Sequence, residues 1–212
     1  SPDNSKKLRM KYYFDSRVKN QKDWSSYEVF GRPDLWYNGY DGLKAGFHVH
    51  GGFLDLRNKF HLSLWFNTGL GQNIPASINK NKYDPISFWF NYSTPTHQFS
   101  RNSNVYLSAR YLDGLNCYIS GFEKWDRSKE NRLNVFLKSD FRVDNNAVNY
   151  ILYPSHWTPG KLNNTVNLVY EHFYNYKRGT GDILLELQSA TVASDYDQSQ
   201  IGSGQPGLFR QC

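Results

Sequence analysis

Apolar and polar residues alternate along this chain from Gly42 to Val192, in segments of about ten residues separated by polar turns. In the clearest pair, segments 42–53 and 59–70 lie on either side of a short turn. Successive side chains of a strand point to opposite faces, so each segment predicts a strand with one apolar and one polar face. The apolar positions of this pair are Leu43, Ala45, Phe47, Val49, Phe60, Leu62, Leu64 and Phe66.

Strands of this length, joined by turn residues, are typical of β-barrels that span a membrane. No apolar run is long enough for a transmembrane helix, and no helical period of useful length is present. We therefore predict an all-β fold, an antiparallel up-and-down meander of about 10 strands that forms a transmembrane outer-membrane β-barrel. The predicted strands are a first one within 7–15, then 42–53, 59–70, 84–94, 103–113, 115–125, 131–143, 147–154, 164–176 and 180–193.

The chain divides into three parts. Residues 1–41 contain the first strand and a loop rich in Gly, Pro and aromatic residues, and residues 42–193 form the meander. Two long loops are expected within the meander, at 71–83 and 154–164. Residues 194–212 are a flexible polar tail that ends on Cys212, whereas a finished outer-membrane barrel is expected to end on a strand with a terminal aromatic residue. We therefore expect the barrel to be incomplete.

Composition supports a sheet that is wet on one side. Aromatic residues make up 17% of the chain, yet the mean hydropathy is −0.71. This combination suits a barrel, in which half of each strand faces water, and it also suits a soluble β-sandwich with an aromatic binding face. The net charge of +6 is scattered and forms no arginine-rich run, so nucleic acid is not an expected partner. Lys and Arg near strand ends would instead meet the acidic head groups of an outer-membrane bilayer.

Three histidines share the polar face of one predicted hairpin: His48, His50 and His61. Imidazoles at neighbouring strand positions can bind Zn²⁺ or Cu²⁺. The alternative is that they line a wet interior or form hydrogen bonds across the strands. We favour this alternative because only the turn residue Asp55 adds an acidic group to the hairpin, and we expect no cofactor.

Aromatic and amide side chains also lie on the polar faces of adjacent predicted strands: Trp65, Trp89, Asn67 and Asn91. Such groups together could stack on and hydrogen-bond a sugar. They are the main support for a second hypothesis, a secreted soluble β-sandwich or jelly roll that binds or cleaves glycans. On the barrel hypothesis, the same side chains would pack the interior instead.

No catalytic motif is present: the chain has no HExxH, GxSxG or P-loop pattern. Glu123, Glu171 and Glu186 fall within predicted strands and could serve acid–base chemistry. We interpret them as charges that pair with Arg110, Lys138 or Arg142 across the strands and fill a small barrel. Whether the parent protein is an enzyme stays open.

The segment PDLWYNGYDGLKAG, Pro33 to Gly46, and the hairpin after it resemble a region of long Gram-negative members of the gluzincin zinc aminopeptidase family. In those proteins a predicted outer-membrane barrel follows the peptidase domain. The resemblance implies that this chain is the barrel portion. The family's HExxH zinc site is absent here, so none of its catalytic residues is carried over.

The expected function is therefore that of an outer-membrane barrel, acting as an anchor or a narrow pore. Its expected partners are the outer-membrane lipid bilayer and other envelope proteins. A third hypothesis is a subunit whose strands complete a barrel together with another chain.

Overall fold

The computed structural model describes residues 9–15, 25–39, 41–54, 56–73, 84–112, 114–142, 162–176 and 179–191. These residues form ten strands and no helix. The all-β class and the strand number predicted from the sequence are confirmed. The strands are β1 (Arg9–Phe14), β2 (Ser26–Asn38), β3 (Gly42–Phe53), β4 (Arg57–Asn67), β5 (Ile86–Pro95), β6 (Ser103–Leu112), β7 (Leu115–Trp125), β8 (Asn131–Arg142), β9 (Leu162–Tyr176) and β10 (Gly179–Thr191).

All ten strands belong to one sheet, in which each strand lies beside its sequence neighbours from β1 to β10. Strands β2 to β10 pair antiparallel, as the meander predicts. In the described part of the chain, β1 and β10 are the two edges and do not pair with each other. The sheet is therefore open. Nor do these residues include a helix of the length and hydrophobicity that a membrane span requires.

The first pair of strands departs from the predicted order, because β1 runs parallel to β2 from Arg9↔Ser26 to Phe14↔Gly31. A two-residue turn can join only antiparallel strands, and a parallel neighbour needs a connection that returns the chain to its starting edge. Residues 15–25 separate the two strands in the sequence, which is long enough for such a connection. The sequence analysis did not predict this parallel pair, because it contained no strand at the position of β2.

The prediction of a loop between Gly31 and Gly42 is wrong for most of its length, because strand β2 extends to Asn38. Its Gly, Pro, Asn and Asp residues indicated turns, but all of 28–38 pairs with β3. Beyond Gly31, β2 has no partner in β1. Pro33 therefore lies where the strand pairs on one side, a position in which the missing N–H is tolerated.

Two further sequence predictions fall outside the described residues. The strand predicted at 147–154 and the polar tail at 194–212 both lie there. Strand β8 pairs directly with β9, from Asn131↔His172 to Phe141↔Leu162. No other described strand separates these two.

The two faces of the sheet differ in polarity, and the buried face is the polar one. The described side chains that are buried include only three apolar ones, Val29, Trp65 and Cys117. The others are polar or charged, and most point to one side, which we call the polar face. On the opposite, apolar face, large hydrophobic side chains are exposed. Examples are Phe47, Phe66, Leu107, Leu133, Val135, Leu137, Val166, Leu168, Ile183, Leu185 and Leu187.

The two longest connections leave from the same end of the strands, which also carries the short connections 39–41 and 113–114. Residues 68–85 and 143–161 link β4 to β5 and β8 to β9, and both leave from the end at which β2 finishes. We call this the long-connection edge. The connections 54–56, 96–102 and 126–130 leave from the opposite end, the short-turn edge.

Candidate functional site

The three candidate histidines come together on the polar face of β3 and β4. His50 is directly opposite His61 in the strand register, and His48 is opposite Ser63. Residues two apart in a strand point to the same side, so the register brings all three imidazoles into one group. We call His48, His50 and His61 the histidine cluster.

His48 lies at the centre of the histidine cluster. Its Nε2 is 3.2 Å from Nδ1 of His50, and its Nδ1 is 3.0 Å from Nε2 of His61. The Oγ of Ser63 is 3.1 Å from the same Nδ1. His48 therefore contacts one imidazole through each ring nitrogen, and His50 and His61 lie on opposite sides of it.

An acidic residue that the sequence analysis did not include, Asp15, lies next to the histidine cluster. Asp15 follows β1, and its Oδ2 lies 3.9 Å from Nδ1 of His50 and 3.7 Å from Nε of Arg32. The backbone N–H of Asp15 donates to the carbonyl of Gly31 at 2.8 Å, which holds the residue against β2. The parallel pairing of β1 with β2 brings Asp15 here. The sequence analysis missed this residue because it did not predict β2, the strand that lies between β1 and β3.

The proposed sugar-binding aromatics are placed differently from each other. Trp65 is 7% exposed, donates its indole N–H to Asp34 at 3.0 Å and packs against Trp36. It therefore fills the polar face and offers no open ring surface. Trp89 is 40% exposed, and its ring lies edge-on to His61, with centroids 5.1 Å apart.

The side chains of the two asparagines proposed for sugar binding, Asn67 and Asn91, are hydrogen-bonded to other residues of the protein. Asn67 is buried and donates to Oγ of Ser87 at 2.8 Å. In the amide orientation that satisfies both of its polar atoms, Asn91 accepts from the indole N–H of Trp89 at 2.9 Å and donates to Ser108 at 2.7 Å. The structure thus joins Asn91 and Trp89 to each other and places Asn67 in a separate group.

That separate group lies at the long-connection edge. Lys44 and Asp41 are both fully buried, and the ammonium group donates to the carboxylate of Asp41 and, at 3.1 Å, to the hydroxyl of Ser87. The ammonium also lies 5.0 Å from the ring centroid of Trp36. A buried charge is stable only when it is paired and hydrogen-bonded, and these contacts meet that condition. We call Asp41, Lys44, Asn67 and Ser87 the buried polar group.

Two of the three carboxylates that could have been catalytic, Glu123 and Glu171, form ion pairs, and Glu186 on β10 is exposed. Nε of Arg132 lies 2.7 Å from Glu171, and another guanidinium nitrogen lies 3.8 Å from Glu123. Glu123 also accepts the indole N–H of Trp125 at 2.7 Å. Lys138 pairs with Asp140 at 3.2 Å on the same face. Charge pairing was the interpretation made from the sequence, although the basic partner of both glutamates is Arg132.

A basic cleft opens at the short-turn edge. It has a volume of about 620 Å³, and its lining includes Arg57, Lys59 and Lys129 together with His97 and Trp125. The sequence showed these cations only as scattered charges near turns. The register of β3 to β8 collects them at one end of the sheet.

Comparison with models of protein families, with curated proteins and with solved structures yields no match for this chain.

Proposed function

We propose that this chain forms all or part of a β-barrel that spans the outer membrane and acts there as an anchor. The observation that carries the proposal is the polarity of the sheet. Its buried face holds charged and amide side chains such as Lys44, Lys138, Asp140 and Asn167, while Leu, Val, Ile and Phe are exposed on the other face. A protein in water would be expected to bury the apolar face, whereas a bilayer offers that face an apolar surrounding.

The lengths of the strands agree with the proposal. Strands β2 to β10 contain between 10 and 15 residues, and a tilted strand of roughly 9–11 residues crosses the hydrocarbon layer. Both long connections leave from one edge, although the short connections 39–41 and 113–114 lie there too. In outer-membrane barrels the long connections are found at one edge and face the outside of the cell.

Aromatic residues on the apolar face lie towards both ends of the strands. Phe60, Tyr92, Phe122 and Tyr170 occur near the short-turn edge, and Tyr37, Tyr111, Tyr118 and Phe141 near the long-connection edge. Aliphatic residues such as Leu62, Leu107 and Leu137 lie between them. Phe47 and Phe90 lie within the aliphatic band, beside Leu64 and Leu62, so the belts are marked mainly by Tyr. Belts of Tyr towards both ends of the strands match the girdles that contact lipid head groups.

The contents of the polar face favour an anchor over an open channel. The buried polar group and the pairs Arg132–Glu171 and Lys138–Asp140 direct charges towards each other. A barrel of about ten strands has an interior that side chains can nearly fill. Paired charges in such an interior leave little room for a water-filled path.

A soluble glycan-binding sandwich receives less support. Two sheets pack face to face in a sandwich and cover each other's apolar surface. The described strands make a single sheet, and the ring of Trp65 is covered by its own neighbours. The resemblance at Pro33–Gly46 is the basis for a narrower proposal, that the barrel belongs to a zinc-peptidase-related envelope protein.

The experiment is to express the chain without a tag and to compare its solubility in buffer and in detergent. We expect a detergent-requiring species whose migration in a cold SDS gel changes after boiling, since folded barrels resist SDS. A monomer that is stable in buffer without detergent would overturn the proposal. The measurement does not depend on any ligand.

A second measurement separates the anchor from a narrow pore. The detergent-folded protein is inserted into a planar lipid bilayer and the current is recorded under voltage. We expect no defined conductance steps. Reproducible steps would replace the anchor with a pore while leaving the barrel in place.

A further inference from the structure

We propose that Asp15, His48 and His50 bind one divalent transition-metal ion, with Zn²⁺ as the best-fitting example, and that His61 orients His48 from behind. One ligand atom from each of the three residues lies within 4.8 Å of the other two. The three residues come from β3 and from the end of β1, and the site does not depend on whether the apolar face meets lipid.

The separation of the two imidazole nitrogens fits a shared metal ion. Zn–N bonds are about 2.0–2.1 Å long, so two nitrogens at a tetrahedral angle on one ion are about 3.3 Å apart. Nε2 of His48 and Nδ1 of His50 are 3.2 Å apart. The same distance also fits a hydrogen bond between the two rings, which is the competing explanation.

The position of Asp15 favours a shared metal ion over a simple hydrogen bond between the rings of His48 and His50. A hydrogen bond between two imidazoles needs no third group, yet Oδ2 of Asp15 lies 3.9 Å from the same Nδ1 of His50. This is about half an ångström beyond the spacing of two ligands on one Zn²⁺ ion, a gap that a small rotation of the carboxylate closes. The side chains of Asp15 and His50 are 22% and 36% exposed, so an ion can reach them.

The second ring nitrogen of His48 has the partners that a metal-bound histidine uses. When Nε2 binds a metal, the proton is on Nδ1 and is donated to a neighbouring acceptor. Nε2 of His61 lies 3.0 Å from that Nδ1, and Oγ of Ser63 lies 3.1 Å away. His61 thus acts as a positioning residue. Of the three histidines that the sequence offers as candidate ligands, His61 is therefore not a direct ligand in the proposed site, and Asp15 is the third one.

The ligand set defines the class of ion. Two imidazoles and one carboxylate suit Zn²⁺, Cu²⁺ or Ni²⁺ better than Ca²⁺ or Mg²⁺, which prefer oxygen ligands. Three protein ligands leave a fourth position of a tetrahedral ion for water or another small ligand. The guanidinium of Arg32, 3.7 Å from Asp15 and half exposed, opposes the cation and can turn towards solvent.

The test uses the folded full chain, without a histidine tag, in competition with a chromophoric zinc chelator. We expect one Zn²⁺ per chain. Asp15→Asn and His50→Gln should each weaken binding more than about 100-fold, and His61→Asn should weaken it about 10-fold through the orientation of His48. Arg32→Gln should tighten binding because it removes the opposing charge. The matched control is His97→Gln, a histidine in the connection from β5 to β6, which should leave the affinity unchanged.

Two results would overturn the proposal. One is the absence of Zn²⁺ and Cu²⁺ binding to the folded wild-type chain at millimolar concentration. The other is equal affinity in the wild type and in the Asp15→Asn/His50→Gln double variant. If a variant does not fold, histidine-labelled wild type gives the answer by NMR. Zn²⁺ should then shift the ring signals of His48 and His50 and leave those of His97 and His172 in place, and the reverse pattern would contradict the site.

Discussion

The phenol of Tyr106 in β6 donates a hydrogen bond of 2.8 Å to the side-chain oxygen of Asn134 in β8, although β7 lies between them. The contact is possible because Gly121 of β7 lies directly beside Tyr106 and has no side chain. A Cβ atom at Gly121 would be 2.4 Å from the phenol oxygen. The aromatic ring therefore covers the glycine and links three strands.

Replacing Gly121 with Ala or Val should displace the Tyr106 ring and break its bond to Asn134. We expect the free energy of unfolding in detergent to fall by about 1–3 kcal/mol, because the added atoms overlap the ring and the hydrogen bond is lost. Urea unfolding followed by tryptophan fluorescence measures it. Tyr106→Phe is the control, since it keeps the ring and removes only the bond, at a cost of about 1 kcal/mol. A fully stable Gly121→Val variant would show that the Tyr106 ring does not cover Gly121.

The Asp41–Lys44 pair should be sensitive to removal of either charge. Asp41→Asn takes away the carboxylate that the fully buried Lys44 ammonium contacts, and we expect a loss of about 3–5 kcal/mol in the free energy of unfolding. Adding Lys44→Met to that variant should restore part of the loss, because no buried charge is then left without its partner. The double-mutant cycle is measured by urea unfolding. Lys124→Met, at an exposed lysine, should change stability by no more than about 0.5 kcal/mol.

Neighbouring positions on β6 provide a test of which face meets lipid. Leu107 lies on the apolar face and Ser108 on the polar face. Leu107→Arg should cost about 2–4 kcal/mol if the residue is near the middle of the bilayer, and should reduce folding into lipid vesicles. Ser108→Arg loses the hydrogen bond from Asn91 but places its charge on the polar face, so it should fold with a clearly higher yield than Leu107→Arg. Equal yields for the two variants would refute the assignment of the faces.

The turn between β7 and β8 should respond to acid through Asp126. A hydrogen bond from the side-chain amide of Asn131 is the main cause that lowers the pKa of Asp126, and bonds from Ser128 and from the backbone N–H of Glu130 act in the same direction. A lowered folded-state pKa means that this turn is stabilised above the carboxyl's ordinary pKa. The stabilisation is then lost as the pH falls through the lowered value.

Asn131→Ala should therefore raise the pKa of Asp126 towards its ordinary value, and Ser128→Ala should raise it by a smaller amount. Carboxyl NMR of aspartate-labelled protein, titrated below about pH 5, measures both shifts. No change in the Asn131→Ala variant would show that the amide does not control this carboxylate. Between pH 5 and 8 we expect no effect on the turn, because the carboxylate stays ionised.

Most strand positions could be predicted from the sequence. The bounds of β3 and β7 agree with the predicted 42–53 and 115–125 to the residue. Alternation is a local property of the chain, and it also predicted that His48, His50 and His61 would share a face. Strand β2 was missed because its Gly, Pro, Asn and Asp residues are turn formers, and pairing with β3 outweighed that preference.

The sequence by itself determined the class of fold and the face that each side chain occupies, because the period of two is present in the order of residues. It also predicted the sequential order of the meander, and only the tertiary structure decided where the pairing departs from that order. In the structure β1 lies parallel to β2, Asp15 lies next to His50, and Arg132 lies between Glu123 and Glu171. These contacts depend on hydrogen-bond pairing between distant segments and on the path of the connections, and neither is encoded in a local pattern of apolar and polar residues.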